Sequence, residues 1–99
     1  KNLNMTSPIE YSVIKSGIIS ITRYLSKYYK KRNLRINCVS PGGIKDNQLK
    51  LFTKRYKKSC NSKGLLKGND VSKLIMFLIS NDAKYIYGQN LIVDDGWSL

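Results

Sequence analysis

Apolar residues recur along the first third of the chain at the spacing of an α-helix. They fall at alternating gaps of four and three residues, which puts them on one side of a helix, and this apolar stripe consists of Ile14, Ile18, Ile21, Leu25 and Tyr28. Ser7, Pro8 and Glu10 form a helix-start signal, because a capping serine, a proline in the first turn and an acid three residues after the cap all suit the amino end of a helix. Asn33 follows a run of basic residues and is a typical stop. The pattern predicts a helix over 8–32.

Two short segments rich in β-branched and apolar residues predict strands. The first, residues 34–39, follows the helix and is bounded by the sequence Ser-Pro-Gly-Gly at 40–43. The second, residues 90–93, is closed by Asp-Asp-Gly at 94–96. Because Gly and Pro mark turns, each segment is predicted to be a strand that ends in a tight loop.

The chain between these strands predicts two further helices and a loop. Residues 45–58 are weakly amphipathic and predict a helix, and residues 59–68 predict a flexible loop. The Asn-Asp pair at 69–70 is predicted to cap a helix over 70–80. Residues 74–79 are all apolar, so this helix is predicted to be buried on nearly all sides.

The order of elements is helix, strand, helix, helix, strand, which predicts an α/β fold with a parallel sheet. Two strands are marginal on their own, and parallel sheets normally bury both faces. A helix that is apolar nearly all round also needs more neighbours than these elements supply. We therefore expect the C-terminal part of a doubly wound, Rossmann-type domain, with the N-terminal dinucleotide-binding half absent from this sequence.

The composition of the chain excludes several kinds of segment and site. The 99 residues suit one small domain, and no stretch approaches the ~20 apolar residues of a membrane span. The absence of His removes the usual zinc ligand sets and His-based acid/base catalysis, so no metal site is expected. Two cysteines, Cys38 and Cys60, are too few for a disulfide scaffold and favour a reduced, cytoplasmic setting. The chain begins with Lys1, and we expect it to be a piece of a longer protein.

The formal charge of +12 arises mostly from lysine, with 14 Lys and 4 Arg against 6 acids. Between residues 47 and 69 there are seven basic residues and no acid: Lys50, Lys54, Arg55, Lys57, Lys58, Lys63 and Lys67. One interpretation is a solvated surface, and another is a surface that attracts an anionic ligand. A basic module for nucleic acid or anionic membrane is a weaker alternative, because base and bidentate phosphate contacts favour Arg. We expect neither nucleic acid nor membrane as a partner.

Tyr11 and Lys15 lie four residues apart at the start of the first predicted helix, so they share one face. A neighbouring ammonium favours the charged form of a phenol, which suits proton exchange with a substrate hydroxyl or carbonyl. With 7 Tyr and 14 Lys in the chain, one such pair is expected by chance. The pair therefore gains meaning only from its context.

That context resembles the short-chain dehydrogenase/reductase family over residues 8–99. Residues 11–15, Tyr-Ser-Val-Ile-Lys, are similar to its Tyr-x-x-x-Lys motif. Three later segments resemble the elements that follow this motif in the family, and they occur in the same order. They are the predicted strand with the Pro-Gly-Gly-Ile sequence that ends at residue 44, the predicted buried helix at 70–80, and the closing segment at 87–97.

The resemblance implies an oxidoreductase that transfers a hydride between NAD or NADP and an alcohol or carbonyl. Tyr11 would be the catalytic acid/base, and Lys15 would hold the nicotinamide ribose and assist the tyrosine. The residues implied to bind the cofactor are Lys15, Pro41, Gly42, Gly43 and Ile44. Gly42 would allow close approach of the backbone to the ligand.

The resemblance also divides the 99 residues into parts of one domain. The catalytic helix would cover about 8–32, the nicotinamide-pocket loop 40–46, the substrate lid about 45–67, and a C-terminal helix and strand 69–99. Because the basic segment falls in the lid, we expect an anionic substrate such as an acidic or nucleotide-linked sugar. The ending at 93–99 is similar to members of the surface-sugar and flagellin-modification branch.

The chain departs from the family pattern at several positions. Asp46 replaces a common Thr near the cofactor diphosphate, which puts that contact in doubt, and the Asp94-Asp95 pair replaces the usual Asp-Gly. The active-site Ser and the glycine-rich dinucleotide loop would precede Lys1. We therefore expect the 99 residues alone to be inactive.

Two outcomes remain open at the level of the sequence. The chain is either part of a working enzyme or a truncated, non-catalytic product that acts only through subunit assembly. The family packs the helix that carries Tyr11 into a subunit interface, so we expect a homo-oligomer formed through this helix, whose apolar stripe and Gly17 suit close packing.

Overall fold

The first helix, α1, spans Ile9–Tyr28 in a computed structural model that describes residues 9–99. The predicted start signal at Ser7 and Pro8 lies outside the described residues. The carboxyl end was predicted at residue 32, but the helix ends at Tyr28 and gives way to turns. Lys31 and Asn33 adopt positive φ angles of 66° and 57°, a left-handed geometry that a right-handed helix cannot include.

Two parallel strands, β1 (Cys38–Pro41) and β2 (Asn90–Val93), form the sheet. Cys38 pairs with Asn90, and Pro41 pairs with Val93. The parallel α/β arrangement predicted from the order of elements is therefore confirmed, and the position of β2 was predicted correctly. Both strands end at the same edge of the sheet, so the loops that follow them are neighbours.

The first strand begins later than the predicted residue 34. Before Cys38, bonds of the Asn37 side chain interrupt the backbone pairing, of which the bond from the Gly88 N–H to the Ile36 carbonyl at 2.9 Å remains. The Asn37 amide nitrogen donates to the Ile86 carbonyl at 3.0 Å, and its amide oxygen accepts from the Gln89 N–H at 2.9 Å. A side chain that satisfies backbone groups replaces ladder bonds, so regular strand geometry starts only after it. At the other end the strand includes Pro41, which was predicted as loop, because the Gly42 N–H still donates to the Val93 carbonyl at 2.8 Å.

Helix α2 spans Lys50–Lys58, shorter than the predicted 45–58. Local side-chain bonds occupy the backbone before it. The Asp46 N–H donates to Gln48 Oε1 at 2.7 Å, and Gln48 Nε2 donates to the Ile44 carbonyl at 2.8 Å. Such bonds compete with the helical ones and delay the start of the helix.

Helix α3 spans Gly68–Ile79 and is followed by a 3-10 turn at Asn81–Ala83. The helix begins two residues before the predicted residue 70, with Lys67 at the N-cap instead of Asn69, and the predicted capping role of Asp70 is confirmed from within the first turn. Asp70 lies inside the first turn, where its carboxylate accepts from the Lys67 N–H at 2.8 Å and from the Lys63 ammonium at 2.6 Å. These two contacts, the Lys63 bond first, lower the pKa of the Asp70 carboxyl below its ordinary value.

The buried apolar residues are Tyr56, Leu65 and Leu66, together with Leu78 of α3 and Ala83 of the turn that follows it. Residues 59–67 lack regular structure, as predicted, yet they contain Leu65 and Leu66, which are 5% and 4% exposed. Burial of two leucines shows that this loop is an integral part of the packing and not a loose connection.

Helix α3 was predicted to be buried, and within the described residues it is not. Of its apolar run only Leu78 is buried, while Ile75, Met76, Phe77 and Ile79 are exposed. The described elements offer too few partners to cover a helix that is apolar nearly all round.

Helix α1 contacts the rest of the chain through small polar side chains. Thr22 and Ser26 are its buried residues, and Ser26 lies against Gly88, where an added Cβ would come within 3.1 Å of the serine Cβ. The Thr22 hydroxyl donates to the Ile18 carbonyl at 2.7 Å, so its burial leaves no unpaired donor. The apolar stripe lies on an adjoining face and is largely exposed.

Arg35 joins β1 to the carboxyl end of α3. Its guanidinium donates to the carbonyls of Leu78 at 2.7 Å, Ala83 at 3.0 Å and Ser80 at 3.1 Å. The last carbonyls of a helix have no partner within the helix, and the negative end of its dipole attracts a cation. Arg35 therefore both caps α3 and fixes it beside the sheet.

We expect Arg35→Met to lower the free energy of unfolding by about 1–3 kcal/mol, because three half-buried carbonyls lose a charged donor. Urea unfolding of the polypeptide that contains this chain measures the change. Arg32→Met is the matched control, since Arg32 is an exposed arginine in the turn after α1. Equal losses for the two variants would contradict the capping role.

Candidate active site

A cavity of about 440 Å³ lies between α1 and the carboxyl end of β1. Helix α1 lines the cavity with two polar residues and two isoleucines, and the other side is lined by all four residues of β1 and the glycine that follows them. The lining residues are Tyr11, Lys15, Ile18, Ile19 and 38–42. A hydroxyl, an ammonium and a backbone segment thus face one space next to the end of a parallel strand, which is where α/β sheets bind ligands.

Tyr11 and Lys15 lie one helical turn apart on the same face of α1. The Lys15 ammonium lies 5.4 Å from the centroid of the Tyr11 ring, and the tyrosine is 52% exposed. A tyrosine hydroxyl can donate or accept a proton, and an adjacent cation stabilises negative charge that develops on it. This pair can therefore manage a proton and bind an anionic or hydroxyl-bearing ligand.

The Pro-Gly loop, residues 40–46, leaves β1 at the edge of this cavity. An added Cβ at Gly42 would lie 2.6 Å from the Asp94 Cβ and 3.0 Å from the Tyr56 hydroxyl oxygen. The sequence suggested that this glycine allows a ligand to approach, but the structure shows that the protein's own packing already requires it. At Gly43 an added Cβ would lie 2.7 Å from Leu65 Cδ2 and 3.1 Å from Tyr56 Cζ, so a larger residue would displace the buried Leu65 side chain.

Tyr56 of α2 contacts the Pro-Gly loop at Gly42 and Gly43. The Gly43 N–H donates to the Tyr56 hydroxyl oxygen at 2.7 Å, and the ring stacks on Trp97 with 5.6 Å between centroids. Burial raises the pKa of the Tyr56 phenol above its ordinary value, with the Gly43 N–H opposing in part. The phenol is therefore neutral at physiological pH and acts as a fixed support.

Comparison with known proteins identifies the family of this chain. Residues 3–98 match the family model described as enoyl-(acyl carrier protein) reductase. The chain belongs to the short-chain dehydrogenase/reductase family. Its fold is that of the C-terminal part of a doubly wound, Rossmann-type domain, as predicted.

The relatives of this chain include a flagellin modification protein and a steroid dehydrogenase. The chain is 44% identical over its full length to post-translational flagellin modification protein A of Campylobacter coli, of which it covers 39%. It is 35% identical over 94 residues to 7α-hydroxysteroid dehydrogenase of Bacteroides fragilis, where the match covers 90% of this chain and 36% of that protein. The chain thus spans about two fifths of the length of these relatives.

Solved structures of family members superpose closely. A short-chain dehydrogenase from Leptospira borgpetersenii with bound NAD+ matches with a TM-score of 0.92 and 34% identity, over 100% of this chain and 39% of that one. A 4-hydroxyisoleucine dehydrogenase complexed with NADH and succinate matches with a TM-score of 0.84 and 29% identity, over 95% of this chain and 41% of that one. Both neighbours are crystallised with a nicotinamide cofactor.

The structure divides the residues predicted for the site into two groups. Tyr11, Lys15, Pro41 and Gly42 line the cavity together. Gly43 and Ile44 lie farther along the loop, where Ile44 forms a parallel bridge with Leu66. Reciprocal bonds fix this bridge, since the Leu66 N–H donates to the Gly43 carbonyl at 2.8 Å and the Lys45 N–H donates to the Leu66 carbonyl at 2.7 Å.

The turn after β2 contains two carboxylates that sequence reasoning treated only as a turn. Asp94 accepts from the N–H groups of Gly96 at 3.0 Å and Ser98 at 3.1 Å. Asp95 accepts from Ser62 and Gly64, and these bonds, that of Gly64 first, lower the pKa of its carboxyl. The signal in the sequence that could have revealed a role for Asp95 was the replacement of the usual Asp-Gly by Asp-Asp.

Residues 45–67, the segment predicted to be the substrate lid, carry their basic side chains on the surface. All seven basic residues between 47 and 69 are exposed. Among the described residues, Lys63 alone of the seven forms an ion pair, with Asp70. Most of the positive charge of this segment is therefore not neutralised by an ion pair within the described residues.

Metal-binding clusters, disulfides and membrane-spanning helices are absent from the described residues, 9–99. Residues 9–99 hold no group of three or more Cys, Asp or Glu that could bind a metal ion. Cys38 and Cys60 are both free thiols. No helix within 9–99 is long and apolar enough to cross a bilayer.

Proposed function

We propose that the protein containing this chain is an NAD(P)-dependent oxidoreductase that transfers a hydride between the nicotinamide and an alcohol or carbonyl. The observation that carries the proposal is the single cavity that Tyr11 and Lys15 share with Pro41 and Gly42. Family membership supports it, as do the structural neighbours crystallised with NAD+ and NADH.

The residues present fit a nicotinamide nucleoside. The open cavity offers a cation for ribose hydroxyls in Lys15, a proton-transfer group in Tyr11, and a backbone edge at Pro41 and Gly42. The cofactor, when bound, supplies the hydride chemistry. Gly43 and Ile44 complete the proposed cofactor site farther along the Pro-Gly loop: Gly43 holds the loop through its bonds to Tyr56 and Leu66, and the backbone of Ile44 would meet the carboxamide.

Tyr11 is the proposed acid/base. In the reducing direction its hydroxyl gives a proton to the carbonyl oxygen, and in the oxidising direction the phenolate takes it from the alcohol. Lys15, whose ammonium lies 5.4 Å from the centroid of the Tyr11 ring, would orient the ribose beside the tyrosine. The rest of the family domain, which contributes the dinucleotide loop, is required for catalysis.

We expect Tyr11→Phe in the full-length protein to lower kcat by at least ~10²-fold, because the ring stays and only the proton donor is lost. Steady-state kinetics with NAD(P)H and a carbonyl substrate measures the change. Tyr24→Phe is the matched control, an exposed tyrosine on the same helix. Near-normal turnover of Tyr11→Phe would exclude Tyr11 as the acid/base.

The substrate we propose is anionic, such as an acidic or nucleotide-linked sugar. The exposed cations of the lid support this choice, since clustered charge of one sign attracts a ligand of the other. Similarity to a flagellin modification protein is compatible with it. The distinction between NAD and NADP depends on residues outside this chain.

We expect the double reversal Lys54→Glu and Lys58→Glu to raise KM for sugar phosphates and nucleotide sugars by roughly tenfold at low ionic strength. Neutral alcohols should show no change, and added salt should shrink the effect. Lys84→Glu, a reversal outside the lid, is the control. A preference of the unaltered enzyme for neutral alcohols would contradict an anionic substrate.

We also propose a homo-oligomer formed through α1. The helix leaves Ile14, Ile18, Ile21 and Tyr28 at least 43% exposed, so its apolar stripe is available to a second copy. The alternative function is a truncated, non-catalytic product that lacks the N-terminal dinucleotide-binding half and acts only through subunit assembly, which would use the same face of α1. The free thiols of Cys38 and Cys60 favour the cytoplasm as the compartment.

We expect Ile14→Asp together with Ile21→Asp to shift the full-length protein to a smaller species, because charge placed in an apolar interface is costly. Analytical ultracentrifugation measures the mass in solution. Ser20→Asp, an exposed substitution on another face of α1, should leave it unchanged. An unaltered mass for the double variant would rule out this face as the interface.

A further inference from the structure

Asp95 occupies a backbone conformation that residues with side chains seldom adopt. Its φ angle is 55°, in the left-handed region, directly before Gly96 with φ 81°. Aspartate tolerates this region better than most residues, but glycine adopts it without steric cost. A side chain kept at such a position points to a role for that side chain.

The carboxylate of Asp95 binds one short segment of the lid. One oxygen accepts from the N–H groups of Ser62 at 3.0 Å and Gly64 at 2.8 Å, and the other accepts from the Ser62 hydroxyl at 2.8 Å. The Asp95 backbone carbonyl adds a fourth bond, from the Asn61 N–H at 2.7 Å. Charge-assisted bonds of this kind are stronger than neutral ones, so one residue fixes residues 61–64.

Residues 61–64 lead directly into the contacts that hold the Pro-Gly loop. Gly64 packs against Lys57, where an added Cβ would lie 3.0 Å from the lysine Cα, and the next two residues are the buried Leu65 and Leu66. Leu66 then pairs with the backbone on both sides of Ile44. A continuous path of contacts therefore joins Asp95 to the loop at the candidate active site.

We propose that Asp95 is a positioning residue, whose carboxylate anchors residues 61–66 and through them holds the Pro-Gly loop in place for the cofactor and substrate. Asp95 itself touches neither ligand in this proposal. Its catalytic consequence rests on the proposed function, and its structural part does not.

Asp95→Gly is the decisive variant, because it deletes the carboxylate and keeps a residue suited to the left-handed backbone. Asn33→Gly is the matched control, since Asn33 also has a positive φ and is exposed at the other end of β1. Asp95→Asn is the conservative variant: its amide oxygen can still accept from both N–H groups, and its NH₂ can donate to the serine hydroxyl.

Hydrogen exchange of the full-length protein, followed by mass spectrometry, tests the anchor without any ligand. In Asp95→Gly we expect exchange about tenfold faster in peptides covering 61–66 and in those covering 40–46, with neither changed in Asn33→Gly. Asp95→Asn should remain within about threefold of the unaltered protein. Faster exchange at 61–66 alone would overturn the link to the Pro-Gly loop, and no change at either would overturn the anchor.

Kinetics then tests the consequence for the reaction. Asp95→Gly should lower kcat/KM by about tenfold through misplacement of the loop, with recovery in Asp95→Asn and no change in Asn33→Gly. Altered exchange with unaltered kinetics would overturn the positioning role. If the unaltered protein binds no nicotinamide cofactor, the proposed function fails, and the exchange data still decide whether Asp95 anchors the loop.

Discussion

The candidate site depends on the parallel pairing of β1 with β2. This register sets Pro41 beside Val93, so the Pro-Gly loop and the Asp94–Asp95 turn leave the sheet at the same edge. The contact is so close that no side chain fits at Gly42. Every later feature of the site, including the support from Tyr56 and the anchoring of residues 61–66, is built around these two adjacent loops.

The distribution of charge follows from how the few acids are used. Three of the 6 acidic residues, Asp70, Asp94 and Asp95, direct their carboxylates at backbone N–H groups. The acids therefore organise loops and a helix start, and they neutralise little of the lid. The exposed basic residues between 47 and 69 therefore keep most of their positive charge, which is the basis for proposing an anionic ligand.

The exposed apolar surfaces mark where further protein is needed. The stripe of α1 and the outer side of α3 are too apolar to face water by preference, and the chain spans about two fifths of the relatives it matches. The buried residues of α1 are the small polar Thr22 and Ser26, and Ser26 packs against Gly88 just before β2. The apolar stripe is thereby left available for an interface, which is why catalysis and assembly are proposed for the same helix.

Local patterns determined much of this protein. The spacing of apolar residues located α1 and α3, the turn residues located β2 and the Pro-Gly loop, and the Tyr11–Lys15 spacing placed that pair on one helical face. Helix ends were less predictable, because Gln48 and Asp70 form side-chain bonds that shift where each helix begins. Only the tertiary structure decided that Gly42 is required by contact with Asp94, that the loop before α3 is partly buried, and that Asp95 binds Ser62 and Gly64. Those contacts join residues distant in sequence, and pairing across a sheet edge leaves no periodic signal along the chain.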